Sequence, residues 1–487
     1  MDRLVARFDA HPSRWLLLGG ALVVLTQISH PLGALAWAAP LPWLRYVRQT
    51  SGRRRWIALL AAQAVAWTLA VGKIASEPHL VLLAPVFAMP IALAHALVLA
   101  AWSVFVRRAG ALASAAFYAL ALAGIEVAID SGTELGSWGA IGYTQLDDAL
   151  LLQSASLVGL AGVGAIVSFV GAAAEAHLAT REPDRARPLV VALGIALAAH
   201  GYGAARLWLA PRASLLPVAM IGTDSDVSGP PLPDRDATHR WDAALLARTR
   251  AAGAGGAELV VWTEASALVW PDEETAWLAA VVATAREAGV DVVAAYVVPV
   301  EGATFRYRNE LRLVHRDGRV EDAYGKRHPV PGEPSIAGTA DGVSYAMPWG
   351  TLSAAICYDY DFPAIARARR GAGIVALPAS DWRGIDPVHA EMAAVRAIES
   401  GHSLVRSTRF GLSIAVDAYG RVRASRSAFD GGPPITHALV PFEPVGTLYG
   451  ATGDAPLLAS LALVIAAGRG RRSRSSSEPP REGNPAT

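Results

Sequence analysis

Long apolar runs separated by short polar loops fill the sequence from Trp15 to Trp208, and one more lies near 454–468. The first seven fall near 15–29, 32–47, 56–73, 79–104, 110–129, 150–174 and 187–208. Several approach the roughly 20 residues that cross a bilayer core. The first half is therefore expected to be a bundle of about seven transmembrane helices. Pro31, Pro40 and Pro42 interrupt the first two runs, which read either as two short spans or as one broken span.

Arginine placement orients this bundle. Arg3, Arg7 and Arg14 precede the first run, and Arg45, Arg48 and Arg53 to Arg55 follow the second. Arginines recur at 107 and 108, at 181, 185 and 187, and beyond 469. The loop from Asp130 to Asp148 has no Lys or Arg and carries acids instead. Under the positive-inside rule the basic loops are cytoplasmic, and basic residues on both flanks of 15–47 require two crossings or a re-entrant hairpin. The expected organisation is a membrane domain over 1–211, an extracytoplasmic domain over 212–450, and a last transmembrane helix over 451–470. A disordered cytoplasmic tail over 471–487, rich in Arg, Ser, Glu and Pro, completes it. Arg3 to Arg14 lead straight into the first run with no small-residue cleavage site, so a cleavable signal is not expected.

From about Leu215 the pattern changes to short β-branched runs alternating with helical stretches. Strands are predicted at 218–221, 259–262, 290–298, 311–315, 351–357, 374–377, 404–407 and 412–416. Helices are predicted at 241–252, 274–288, 361–370 and 388–400. Asp317-Gly318 and Ala418-Tyr419-Gly420 read as hairpin turns. Strand–helix alternation mixed with hairpins points to a layered α/β fold.

Composition singles out two residues in this block. Of 43 Lys and Arg residues only Lys73 and Lys326 are lysines, and Cys357 is the one cysteine. An ammonium is a compact point charge, whereas a guanidinium is a planar fork, so Lys326 in a chain that writes its cations as Arg suggests a role at a small reacting centre. One cysteine excludes an intrachain disulfide. It reads either as a small buried hydrophobe or as a nucleophile. Glu264 follows the apolar run Leu-Val-Val-Trp-Thr, Lys326 lies in a loop, and Cys357 ends a predicted strand. A carboxylate base, an ammonium and a thiol together suit acyl transfer: base takes proton, thiolate attacks carbonyl, cation holds the oxyanion. An adjacent cation is also expected to lower the thiol pKa. Net charge of +1 singles out no partner, and no nucleic acid is expected.

These residues carry a resemblance. VVWTEAS around Glu264, YGKRHPVPGE around Lys326 and AAICYDYDFP around Cys357 resemble the Glu-Lys-Cys stretches of the nitrilase (carbon–nitrogen hydrolase) superfamily, in the same order. With the apolar runs, the whole is similar to the apolipoprotein N-acyltransferase family; GIEVAIDSGTELGSWGAIGYTQ resembles that family's fifth span and following loop. Departures are Trp-Thr-Glu for Trp-Pro-Glu at the first acid, a shortened Pro331-Gly332-Glu333, and Asp359 where Glu usually follows Cys-Tyr. Ala379-Ser380-Asp381-Trp382-Arg383-Gly384 replaces an Asn-Asp-Ala-Trp-Phe-Gly segment.

The resemblance implies an α-β-β-α sandwich outside a bacterial inner membrane. Glu264 would be the base, Lys326 with the Tyr358 N–H the oxyanion site, and Cys357 the nucleophile. Glu333 would orient Lys326, and Tyr358 and Asp359 would line the pocket. A phospholipid would donate its acyl chain and the N-terminal amine of a diacylglyceryl-cysteine lipoprotein would accept it, with no cofactor and no metal. A membrane-anchored carbon–nitrogen hydrolase, in which water resolves the thioester of some other amide substrate, is the alternative. Trp270, Trp349 and Trp382 are candidates for lipid-interface contacts or for core packing.

Overall fold

The computed structural model describes residues 2–475, apart from positions 77, 181–182, 224, 226, 228–229, 303–304, 341 and 432–433. Among the described residues, five helices have the length and apolarity to cross a membrane: Arg54–Gly72, Val81–Phe105, Ala111–Gly132, Ala155–Ala179 and Asp184–Trp208. The first two predicted runs form shorter pieces instead, Ser13–Thr26 followed by Gly33–Ala36 and Pro40–Gln49. The C-terminal apolar stretch, Ala455–Gly468, is likewise short, and its helix continues to Ser475 where a disordered tail was expected. The rest of that tail lies outside the described residues.

The two ends of the bundle differ in chemistry. At one, Arg45 pairs with Asp9 and Arg48 with the buried Glu175 at 2.7 Å. The other end meets the α/β domain. There Gly159, at φ +68°, breaks the Ala155–Ala179 helix, and the Tyr449 ring occupies the place a side chain would take. The interruption frees the Leu160 N–H, which donates to Glu399 Oε1 of the α/β domain at 2.6 Å.

Thirteen strands build that domain: β1 Leu215–Ile221, β2 Leu259–Trp262, β3 Asp291–Val300, β4 Arg306–Val314, β5 Tyr324–Gly325, β6 Ser335–Ile336, β7 Val343–Met347, β8 Gly350–Ala354, β9 Ile374–Ser380, β10 Ser403–Arg409, β11 Leu412–Val416, β12 Val422–Ser427 and β13 Ile435–Pro441. One sheet runs β13-β1-β2-β3-β4-β5, with β6 on β4; the other runs β12-β11-β10-β9-β8-β7. The central strands β1, β2 and β3 are parallel, as are β8, β9 and β10. Strands covered on both faces must be apolar throughout, and β2 is buried at every residue.

Between the sheets pack Val218, Val261, Val293, Leu352, Ile374 and Val405. The Arg235–Ala254 and Glu274–Ala288 helices cover the outer face of the first sheet. The Val388–Ser400 helix covers the second sheet with Ala390, Ala393 and Ala397. Its opposite side, Met392 and Val395, packs on Leu151, Leu160 and Val163 of the membrane bundle. The expected α-β-β-α sandwich is present, seated on the bundle through one of its own outer helices.

Candidate active site

Parallel strands of both sheets end at one place, the usual location for a ligand site in α/β folds. Glu264 follows β2, Asp381 follows β9, and the Glu264 N–H donates to Ala379 O across the sheets at 3.2 Å. The predicted strand ending at Cys357 stops instead at Ala354. Cys357 opens a 3₁₀ turn, Cys357–Asp361, at φ +47°. A non-glycine residue rarely adopts that conformation, and such strain gathers at functional sites. The thiol lies 3.6 Å from Ser380 O of β9.

Lys326, 2% exposed, bridges two carboxylates: Nζ donates to Glu264 Oε1 at 2.8 Å and to Glu333 Oε2 at 2.6 Å. Asn309 on β4 ties the same acids together, Nδ2 donating to Glu264 Oε1 at 2.7 Å and Glu333 Oε1 at 3.2 Å. Tyr307 OH adds a bond to Glu333 Oε1 at 3.2 Å. Neither Asn309 nor Tyr307 was singled out in the sequence. A polar residue inside a strand carries no signal until its partner is known.

Burial alone would push the Lys326 ammonium down, but Glu264 and Glu333 outweigh it and hold its pKa well above the usual lysine value. Glu333 is held below the ordinary carboxylate value, Lys326 overcoming its burial. For Cys357 the expected direction is reversed. Burial first and the Glu264 charge second push the thiol well above its usual value, against the opposing pull of Lys326. The resting group is therefore a thiol.

Asp359 is not among the residues that wall the apolar cavity described below. It is fully buried, Oδ1 accepting from the His328 N–H at 2.8 Å and Oδ2 from the Ile356 N–H at 3.1 Å and Tyr324 OH at 3.0 Å. It is a clamp between the Lys326 loop and the Cys357 turn, with every oxygen already engaged. Tyr358 does line a cavity, and its hydroxyl donates to Glu134 O of the membrane domain at 2.7 Å. That cavity, about 260 Å³, is walled by Val71, Ala84 and Phe87 of the bundle and by Val330, Tyr358 and Trp382 of the α/β domain. Trp382 is anchored by its N–H on Ile74 O at 2.8 Å. Trp270 lies under Arg235 and Trp349 against Phe442.

On another side of the thiol lies a buried charge network. Cys357 Sγ, one Asp381 oxygen and one His389 nitrogen all fall within 4.8 Å of one another. His389 Nδ1 bonds Asp381 Oδ1 at 2.7 Å and Nε2 bonds Asp361 Oδ1 at 3.1 Å; Arg406 also donates to Asp381 Oδ1 at 2.6 Å. Burial opposes charge on His389, but Asp361 and Asp381 prevail and raise it to about 9. Arg406 and His389 overcome burial to bring Asp381 to about 2. With both histidine nitrogens committed and a guanidinium alongside, this cluster is built as an ion network.

Two family profiles match: the apolipoprotein N-acyltransferase N-terminal domain over residues 19–173 and carbon-nitrogen hydrolase over 218–440. An apolipoprotein N-acyltransferase of Bradyrhizobium diazoefficiens is 30% identical over 383 residues, 68% of this chain and 69% of that protein. One of Rhizobium etli is 30% identical over 328 residues, 59% of this chain and 60% of the relative. The alignments thus span 60% and 69% of these two relatives' lengths. An amidase from Nesterenkonia sp. superposes with TM-score 0.41 at 20% identity, over 52% of this chain and 98% of its own. With both profiles on one chain, in the order bundle then sandwich, the chain belongs to the apolipoprotein N-acyltransferase family of the carbon–nitrogen hydrolase superfamily.

Proposed function

We propose that this chain moves a fatty acyl group from a phospholipid, through a thioester on Cys357, to the N-terminal amine of a diacylglyceryl-cysteine lipoprotein. The observation that carries the reading is the apolar cavity beside the thiol turn, walled jointly by membrane helices and by Tyr358 and Trp382. A site for a small polar amide has no use for such walls; an acyl chain does.

In the first step the Cys357 sulfur attacks the ester carbonyl as Glu264 takes its proton, and the proton passes on to the departing lysophospholipid alkoxide. Lys326, with the Tyr358 N–H, steadies the oxyanion, and Glu333 and Asn309 keep Lys326 in place. In the second step the amine attacks the thioester, Glu264 takes a proton from nitrogen, and sulfur leaves and is reprotonated. The basic bundle end, carrying Arg45 and Arg48, supports a cytoplasmic face there and an extracytoplasmic α/β domain. The reading includes a membrane domain over 1–211, a catalytic domain over 212–450 and a membrane return over 451–470.

The test is to incubate the purified protein with phospholipid and weigh it. Mass spectrometry should find one acyl adduct, on Cys357, which a diacylated lipopeptide then removes as an amide. No adduct would refute the reading, and release as free fatty acid in the presence of the lipopeptide would favour the hydrolase.

A further inference from the structure

Among the described residues, the network beside Cys357 leaves two buried side-chain atoms without a hydrogen-bond partner, Arg406 Nε and Asp381 Oδ2. Asp381 Oδ1 takes both cations, from His389 at 2.7 Å and from Arg406 at 2.6 Å. Asp381 Oδ2 is buried and has no hydrogen-bond partner among the described residues. Its neighbour on one side is Gly411, where even a Cβ would come within 2.5 Å of the oxygen. The residue is 5% exposed. A buried carboxylate oxygen left unmatched is costly unless something else comes to fill it.

The charge balance says what can fill it. Asp381 and Asp361 are matched by His389 and Arg406, so the network is close to neutral. An uncompensated carboxylate would favour an ammonium ion, which has no lone pair and cannot attack. A compensated one still accepts a hydrogen bond yet leaves an amine in its neutral, nucleophilic form. Cys357 Sγ lies within 4.8 Å of one Asp381 oxygen, and Glu264, bound to Lys326, acts on the same thiol electrostatically.

We propose that Asp381 is the binding residue for the acceptor amine: Oδ2 accepts one N–H of the incoming primary amine and aims its lone pair at the thioester carbon on Cys357. This deepens the acyl-transfer reading and rests on it. Glu264 takes the second N–H proton as the C–N bond forms and the C–S bond breaks, and that proton returns to sulfur. A primary amine has two N–H groups and one lone pair, and the site then supplies one carboxylate for each hydrogen. Orientation of this kind is where intramolecular reactions gain their rate.

Asp381→Asn tests the assignment. Arg406 and His389 both donate, so the amide oxygen turns to them and its NH₂ falls at the Oδ2 position, converting the free acceptor into a donor. Asp381 also acts on the Cys357 thiol, so the readout is the split between the half-reactions: with phosphatidylethanolamine as donor, thioester formation on Cys357 is expected to change by less than the transfer step. Single-turnover transfer to a synthetic diacylglyceryl-cysteine peptide is expected to slow on the order of 10- to 100-fold, the loss of a hydrogen bond to a charged group, so that acyl-enzyme accumulates. Equal losses in both steps, or unchanged transfer, would overturn the proposal. An acceptor peptide methylated on its α-nitrogen is the second probe and needs no variant. The wild-type enzyme should transfer to it far more slowly than to the primary amine, and a folded Asp381→Asn enzyme should discriminate much less. Equal use of both amines by the wild type would also overturn the proposal. Absence of any wild-type thioester would instead remove the acyl-transfer reading itself.

Discussion

The Tyr358 hydroxyl donates to the backbone carbonyl of Glu134 at 2.7 Å, so the residue next to the thiol is tied to a loop of the membrane bundle. The same loop grips the far end of the Cys357 turn. Ser137 donates to Asp361 O through both N–H, at 2.9 Å, and hydroxyl, at 2.7 Å, and Trp138 Nε1 donates to Asp361 Oδ2 at 2.7 Å. Asp361 in turn holds His389. The bundle therefore does more than anchor the sandwich: it fixes the strained turn on which Cys357 sits.

Trp138→Phe tests that coupling. Trp138 also walls the apolar cavity, so phenylalanine preserves apolar contact and removes one hydrogen bond to a charged group. Turnover should fall about 10-fold, with the KM for phospholipid moved less than twofold. A change confined to KM would mean that Trp138 only lines the cavity.

How far the sequence foretold this site depends on how local each signal is. β2, β11 and the helices Glu274–Ala288 and Val388–Ser400 match their predicted limits, because hydrophobic periodicity and turn residues mark both ends within a few positions. β7 and β13 escaped notice; their residues alternate exposed and buried without a strong apolar run, and only pairing with β8 and β1 makes them strands. Lys326 and Cys357 stood out through rarity. Asp381, His389 and Arg406 did not, since loops and other elements separate them in the chain and nothing local foretells their convergence. The tie that Asp359 makes between the Lys326 loop and the Cys357 turn was hidden for a related reason: its three donors come from separate stretches of chain.

Cys357→Ala should abolish turnover while leaving expression and melting temperature close to wild type. The side chain is small, and the φ of +47° is no worse for alanine than for cysteine. Cys357→Ser should be nearly as poor, since burial and Glu264 already disfavour an anion at this position and an alkoxide is harder to form than a thiolate. Wild-type turnover in the alanine variant would exclude this thiol as the nucleophile.

His389 gives a pH dependence with a definite sign. Its folded-state pKa is raised from 6.5 to about 9, Asp361 and Asp381 overcoming the cost of burial. A group raised in this way stabilises the fold fully below its unfolded pKa, and the contribution is lost as pH rises through the folded one. The detergent-solubilised protein should therefore melt at progressively lower temperature between about pH 6.5 and 9. Burial raises Glu399 to about 7, so its own titration is nearly complete in the upper part of that window. His389→Gln should lower the melting temperature at neutral pH and flatten its fall above pH 7.5. An equally steep fall in the variant would assign the dependence to another group.

Lys326→Arg separates charge from shape. The ammonium sits 2.8 Å from Glu264 and 2.6 Å from Glu333 in a position 2% exposed. A guanidinium keeps the charge and can still pair with both acids, so the fold should tolerate it better than a neutral residue. It is larger, however, and its donors lie in one plane, so pairing with the two carboxylates turns the remaining N–H groups away from an oxyanion at Cys357. Losing one such donor costs on the order of 10²–10³ in turnover, and a loss of that size is expected with the melting temperature changed by only a few degrees. Lys73 is the matched control. Its Nζ donates to Val24 O at 2.7 Å, at the end of a membrane helix, a bond that an arginine can also make. Lys73→Arg should hold turnover within about twofold of wild type. A fully active Lys326→Arg enzyme, or equal losses at both positions, would show that the ammonium of Lys326 serves only to neutralise its two acids.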